Sequence, residues 1–137
     1  MKRTFFSLAL LLAVATLTAQ TKMTAREAAV KIADRILAST TYEFKNTKTG
    51  EIYKSVKKLP LDMDVKVACK YNNWHYTNGV TNMALMELGD KLGDKKYEKY
   101  VLKNMNFVFN EGNLDFFRKQ YDEAFKRDGW NAVRKLS

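Results

Sequence analysis

Two runs of apolar residues at helical spacing, joined by a two-residue break, constrain this chain more than anything else in it. Val80, Met83, Ala84, Glu87, Leu88 and Leu92 mark one face of the first run, Gly93-Asp94 interrupts it, and Tyr97, Tyr100, Val101, Met105 and Val108 mark the second. Glycine just past a helix stops it, because glycine enters the left-handed region at little cost. Asp94 can then accept from the open N–H groups of the next first turn. The pair reads as a helical hairpin. Its opening is the aromatic run Trp74-His75-Tyr76-Thr77-Asn78-Gly79-Val80. Rings that carry a hydroxyl or an N–H offer apolar area and a polar tip together, which suits sugars.

The flanking segments extend the helical pattern. Thr24-Ala25-Arg26-Glu27 has the form of a capping box. Ala28, Ala29, Ile32, Ala33, Ile36 and Leu37 follow as one apolar stripe, with Lys31, Asp34 and Arg35 off it. Tyr42 to Lys54 alternates apolar and polar residues around Asn46-Thr47-Lys48-Thr49-Gly50, so a short hairpin or extended loop is expected. Residues 55 to 73 read as mostly irregular, with at most one helical turn around Val65 to Cys69. Asn110-Glu111-Gly112-Asn113 stops the second hairpin helix. Phe117, Tyr121, Ala124 and Phe125 mark the face of a third, which ends at Asp128-Gly129. Trp130 to Leu136 opens another.

Length, charge and cysteine usage narrow the class. At 137 residues the chain is one domain or part of one. Residues 1–19 read as a signal peptide: Lys2-Arg3, an apolar run from Phe5 to Leu17, and the small pair Thr18-Ala19 before Gln20. Residues 20–137 are then the exported portion, periplasmic or secreted, with no membrane association after cleavage. The single Cys69 allows no internal disulfide. One cysteine and one histidine fall short of the roughly four ligands of a structural zinc site, so no metal is expected. The net charge of +9 includes Lys2 and Arg3. The remaining lysines are scattered, and an exported basic chain points to an acidic glycan, with no nucleic acid.

Asn73-Trp74-His75-Tyr76-Thr77-Asn78-Gly79-Val80, the helix to Leu88, Leu92-Gly93-Asp94-Lys95-Lys96-Tyr97, Tyr100 and Asn110-Glu111-Gly112-Asn113-Leu114 together resemble the first repeat of the unsaturated rhamnogalacturonyl hydrolases, glycoside hydrolase family 105. That family is related to the unsaturated glucuronyl hydrolases of family 88. The likeness covers residues 72 to 115 well and residues 24 to 54 more loosely. It implies an all-α fold, the first helical hairpins of an (α/α)6 barrel that is incomplete in this chain, with residues 20–137 its N-terminal portion. It also implies removal of an unsaturated uronic acid from pectin- or rhamnogalacturonan-derived oligosaccharides, without a cofactor. In the family an Asp protonates the C4–C5 double bond and activates water, so that hydration leads to cleavage. Carried over by position, Tyr76 is the substrate-contacting tyrosine and Trp74 and His75 flank it in the binding motif. Asn78 and Gly79 shape the turn, Gly79 through close backbone approach. Asp115, Asp122 and Asp128 lack the context of the catalytic residue, which is expected beyond Ser137. The alternative is a small, non-catalytic helical protein that binds glycans or partners.

Overall fold

The computed structural model describes residues 23–62 and 64–136. The signal peptide read at residues 1–19 lies outside them. Among the described residues no helix is long and apolar enough to cross a membrane. The chain divides into two compact units at Lys31–Ile32. In the first, the capping box forms as the sequence predicts. The Thr24 N–H donates to Glu27 Oε2 at 2.8 Å, and the Glu27 N–H donates back to Thr24 Oγ1 at 3.2 Å. The hydrogen bonds from the Thr24 backbone and hydroxyl hold the Glu27 carboxyl below its ordinary range.

Helix α1 spans Ala25–Ser39, followed by strands β1 (Phe44–Asn46), β2 (Ile52–Tyr53) and β3 (Val65–Val67) and helices α2 (Tyr76–Leu92), α3 (Lys95–Val108) and α4 (Glu111–Leu136). The chain is mostly helical, as expected, but it is not all-α: the strands form an antiparallel sheet in the order β2-β1-β3. The β1–β2 hairpin follows the alternation read at Tyr42 to Lys54. Its turn is set by Asn46, whose Oδ1 accepts from the Lys48 and Thr49 N–H groups, and by Gly50 at φ 79°. The helical turn expected around Val65 to Cys69 is instead β3. Val65-Lys66-Val67 alternates with β-branched residues, and its N–H and C=O groups pair with β1 in the register Phe44↔Val67, Asn46↔Val65.

The hairpin of α2 and α3 forms around the predicted break. Gly93 adopts φ 66°, ψ 24°, and the Asp94 side chain accepts from the Lys96 N–H at 3.0 Å. The buried face of α2, however, is Asn78, Asn82, Leu85 and Gly89, and the predicted Val80, Met83, Ala84 and Glu87 are exposed. Two facts turn the helix this way. Asn104 Nδ2 on α3 donates to Asn82 Oδ1 at 3.1 Å, so two buried amides need each other. Gly89 lets the chains close up: a Cβ there would lie 3.1 Å from the Asp94 carbonyl oxygen and 3.3 Å from Tyr97 Cβ. On α3 the predicted Tyr97, Tyr100 and Val101 are buried, joined by Asn104. They form one core with Leu85 and Ala33, against which Ile36 and Leu37 of α1 pack. Ile32, placed on the α1 stripe by its spacing, is exposed. Asp34, placed off it, accepts from the Tyr97 hydroxyl at 2.9 Å and from Lys96 Nζ at 2.8 Å.

A second core joins the sheet to the later helices: Phe44, Val56, Val65 and Phe116, with Phe107 and Phe117 packed against them. The Phe44 and Phe107 rings stack at 5.2 Å. Of the predicted α4 stripe Ala124 is buried, and Phe116 and Gln120 are buried beside it, one position round from the predicted Phe117 and Tyr121. The helix breaks where the sequence indicates, at Asp128 and Gly129, with Gly129 at φ 54°, ψ −148°. Beyond the break, Ala132 packs with Ala124.

A candidate saccharide-binding cleft

The aromatic run ahead of α2 is fixed by asparagines. Asn78, buried in the first turn of α2, donates through Nδ2 to the Lys70 carbonyl at 2.9 Å, the Asn73 carbonyl at 3.1 Å and Asn73 Oδ1 at 2.6 Å. Asn73 Oδ1 also accepts from the His75 N–H at 3.3 Å. The turn that presents Trp74 and His75 is thus tied down from both sides, as expected of Asn78. Gly79 plays no comparable part. It is exposed, and a Cβ there would meet nothing within 4 Å, so close approach in this hairpin belongs to Gly89.

His75 is the N-cap of α2. Its Nδ1 accepts from the Thr77 N–H at 3.4 Å and lies 2.7 Å from Thr77 Oγ1. An acceptor role at Nδ1 belongs to the tautomer that carries its proton on Nε2, which leaves Nε2 as the donor. The Trp74 ring stands edge-on to Phe109 at 5.9 Å and is 55 % exposed. Tyr76 is 78 % exposed, its ring 5.0 Å from that of His75.

Trp74 and His75 line a cleft of about 810 Å³, with three walls drawn from distant parts of the sequence. The first wall is β3, Val65 to Val67, and the second is the turn Asn73, Trp74 and His75. The third is α4, with Leu114, Phe117, Arg118, Gln120 and Tyr121. Leu114, Phe117, Arg118 and Tyr121 recur at helical spacing on one face, so the turn of α4 that buries Phe116 and Gln120 delivers these four to the cleft. The lining combines aromatic rings, a ring donor and two cations, Lys66 and Arg118, and it contains no carboxylate. Such a surface suits an anionic ligand with apolar faces.

Of the three predicted site residues, then, Trp74 and His75 stand together in the cleft and Tyr76 stands beside His75, outside its lining. Lys66, Phe117, Arg118 and Tyr121 were not anticipated. The helical spacing of Phe117 and Tyr121 was visible in the sequence but read as core. Asp115 pairs with Lys119 at 2.7 Å on the surface of α4. Among the described residues no group of His, Cys, Asp and Glu could hold a metal ion. Compared with known proteins, the chain matches no family model, no curated protein and no solved structure.

Proposed function

We propose that this chain carries the saccharide-recognising hairpins of an exported glycoside hydrolase, periplasmic or secreted. Its substrate is an oligosaccharide derived from pectin or rhamnogalacturonan, from which it removes an unsaturated uronic acid by hydration of the C4–C5 double bond. The observation that carries the reading is the cleft itself. Trp74 and His75, singled out by the sequence motif, share it with two cations and further rings, a lining suited to a sugar that bears a carboxylate. In this reading α2 and α3 are a hairpin of an (α/α)6 barrel. The exposed stripe of Tyr76, Val80 and Met83 is the kind of face a neighbouring hairpin covers.

Hydration of an enol ether needs a carboxyl group to deliver the proton. The cleft lining holds none, so the part assigned to these residues is binding and orientation. That same feature favours a second reading, a helical glycan-binding protein without catalysis.

One experiment addresses both. The chain is titrated with unsaturated digalacturonate while tryptophan fluorescence and the ultraviolet absorbance of the double bond are followed. Binding that Trp74→Ala weakens by about tenfold or more supports the cleft, since one ring stacked on a sugar contributes about 1–3 kcal/mol by analogy with ring–base stacking. Binding without loss of the absorbance is the outcome that both readings expect of residues that bind and orient, and loss of the absorbance overturns the second reading. Absence of binding overturns both.

A further inference from the structure

We propose that Arg118 reads the carboxylate of the bound saccharide, so that the cleft distinguishes a uronic acid from its ester. This rests on the saccharide reading of the cleft, and it assigns the selectivity to a residue outside the aromatic motif. Arg118 is an exposed side chain on the cleft face of α4, adjacent to Phe117 and one helical turn after Leu114. Its neighbours on the same helix are differently placed. Lys119 is held by Asp115 at 2.7 Å and Lys126 by Glu123 at 2.8 Å. Among the described residues, no hydrogen bond or ion pair engages the Arg118 guanidinium.

A guanidinium presents parallel N–H donors in a planar fork that matches the two oxygens of a carboxylate, and such bidentate pairs are the stronger charge-assisted hydrogen bonds. Phe117 and Tyr121 flank Arg118 on α4, and Trp74 faces the same space from the turn before α2. A sugar ring against these aromatics would bring the carboxylate on its C5, coplanar with the C4–C5 double bond, within reach of a long, flexible cation. With no carboxylate in the lining, no other anion there competes for the fork or repels an acidic ring. Lys66 on β3 adds a second positive charge to the same cleft and raises the local potential for anions.

The test uses the full chain, with unsaturated digalacturonate and its methyl ester as probes, titrated by calorimetry on wild type and Arg118→Gln. The wild type should bind the acid about tenfold more tightly than the ester, and Arg118→Gln should lose about that factor on the acid while leaving the ester unchanged. Because the side chain is exposed and unengaged, the melting temperature should not move. Equal binding of acid and ester by the wild type, or equal weakening of both by Arg118→Gln, overturns the assignment of Arg118 while leaving the cleft a saccharide site. Failure of either probe to bind the wild type overturns the saccharide reading and the inference with it.

Discussion

Asn104 ties α3 to α2 and to the segment that precedes α2. Its Nδ2 donates to the Tyr71 carbonyl and to Asn82 Oδ1, each at 3.1 Å, and the residue is almost wholly buried. Asn104→Ala leaves both acceptors without that donor and opens a small void. A buried polar group left unsatisfied costs about 1–3 kcal/mol, and urea unfolding should show a loss of that size. A change within about 0.5 kcal/mol, typical of exposed positions, would mean that the amide does not hold the hairpin. Asp34 bears on pH. Hydrogen bonds from Lys96 first, and then Tyr97, hold its carboxyl below the ordinary range. Its folded value thus lies below its unfolded one, so its stabilisation is present above the ordinary carboxylate range and is lost as pH falls through the lowered value. Thermal melts between about pH 5 and pH 3 should therefore show a steeper loss for the wild type than for Asp34→Asn. Parallel profiles would remove Asp34 from the account. Neither residue was legible in the sequence, because apolar periodicity weighs only apolar side chains. It placed Asp34 off the stripe and passed over Asn82 and Asn104.

At the level of elements, the sequence marked boundaries better than faces. Gly93, Asp94 and the Asp128-Gly129 break stand where turn and cap chemistry placed them, since those signals act over a few residues. The buried faces of α2 and α4 depend on what each helix meets, and there the Asn82–Asn104 pair, the Gly89–Tyr97 approach and the Phe44 cluster decide. The two α2 glycines give a paired test. Gly79 has open space around its missing Cβ, so Gly79→Ala should stabilise the chain by about 0.5–1 kcal/mol through backbone entropy alone. Gly89 lies against the Asp94 carbonyl and Tyr97, so Gly89→Val should cost about 1–3 kcal/mol by overpacking. Thermal and urea unfolding read both. The reverse order of effects would place the close approach at Gly79, as first expected.

Across the whole molecule, the helical character could be read from spacing, and the sheet only in part. The β1–β2 alternation was legible, but β3 is three residues long and becomes a strand only by pairing with β1. The cleft was half legible for a similar reason. Trp74 and His75 stand in a motif, whereas Lys66, Arg118 and Tyr121 come from positions far apart in sequence that tertiary packing alone brings together. The proposed function requires that these residues bind an acidic saccharide as one surface. Its most direct test is to follow the backbone amide resonances of the chain as unsaturated digalacturonate is added. Saturable shifts should gather at Val65–Val67, Asn73–His75 and Leu114–Tyr121, with little change along Val80 and Met83. Shifts confined to the exposed α2 stripe, or none at saturating ligand, would contradict it.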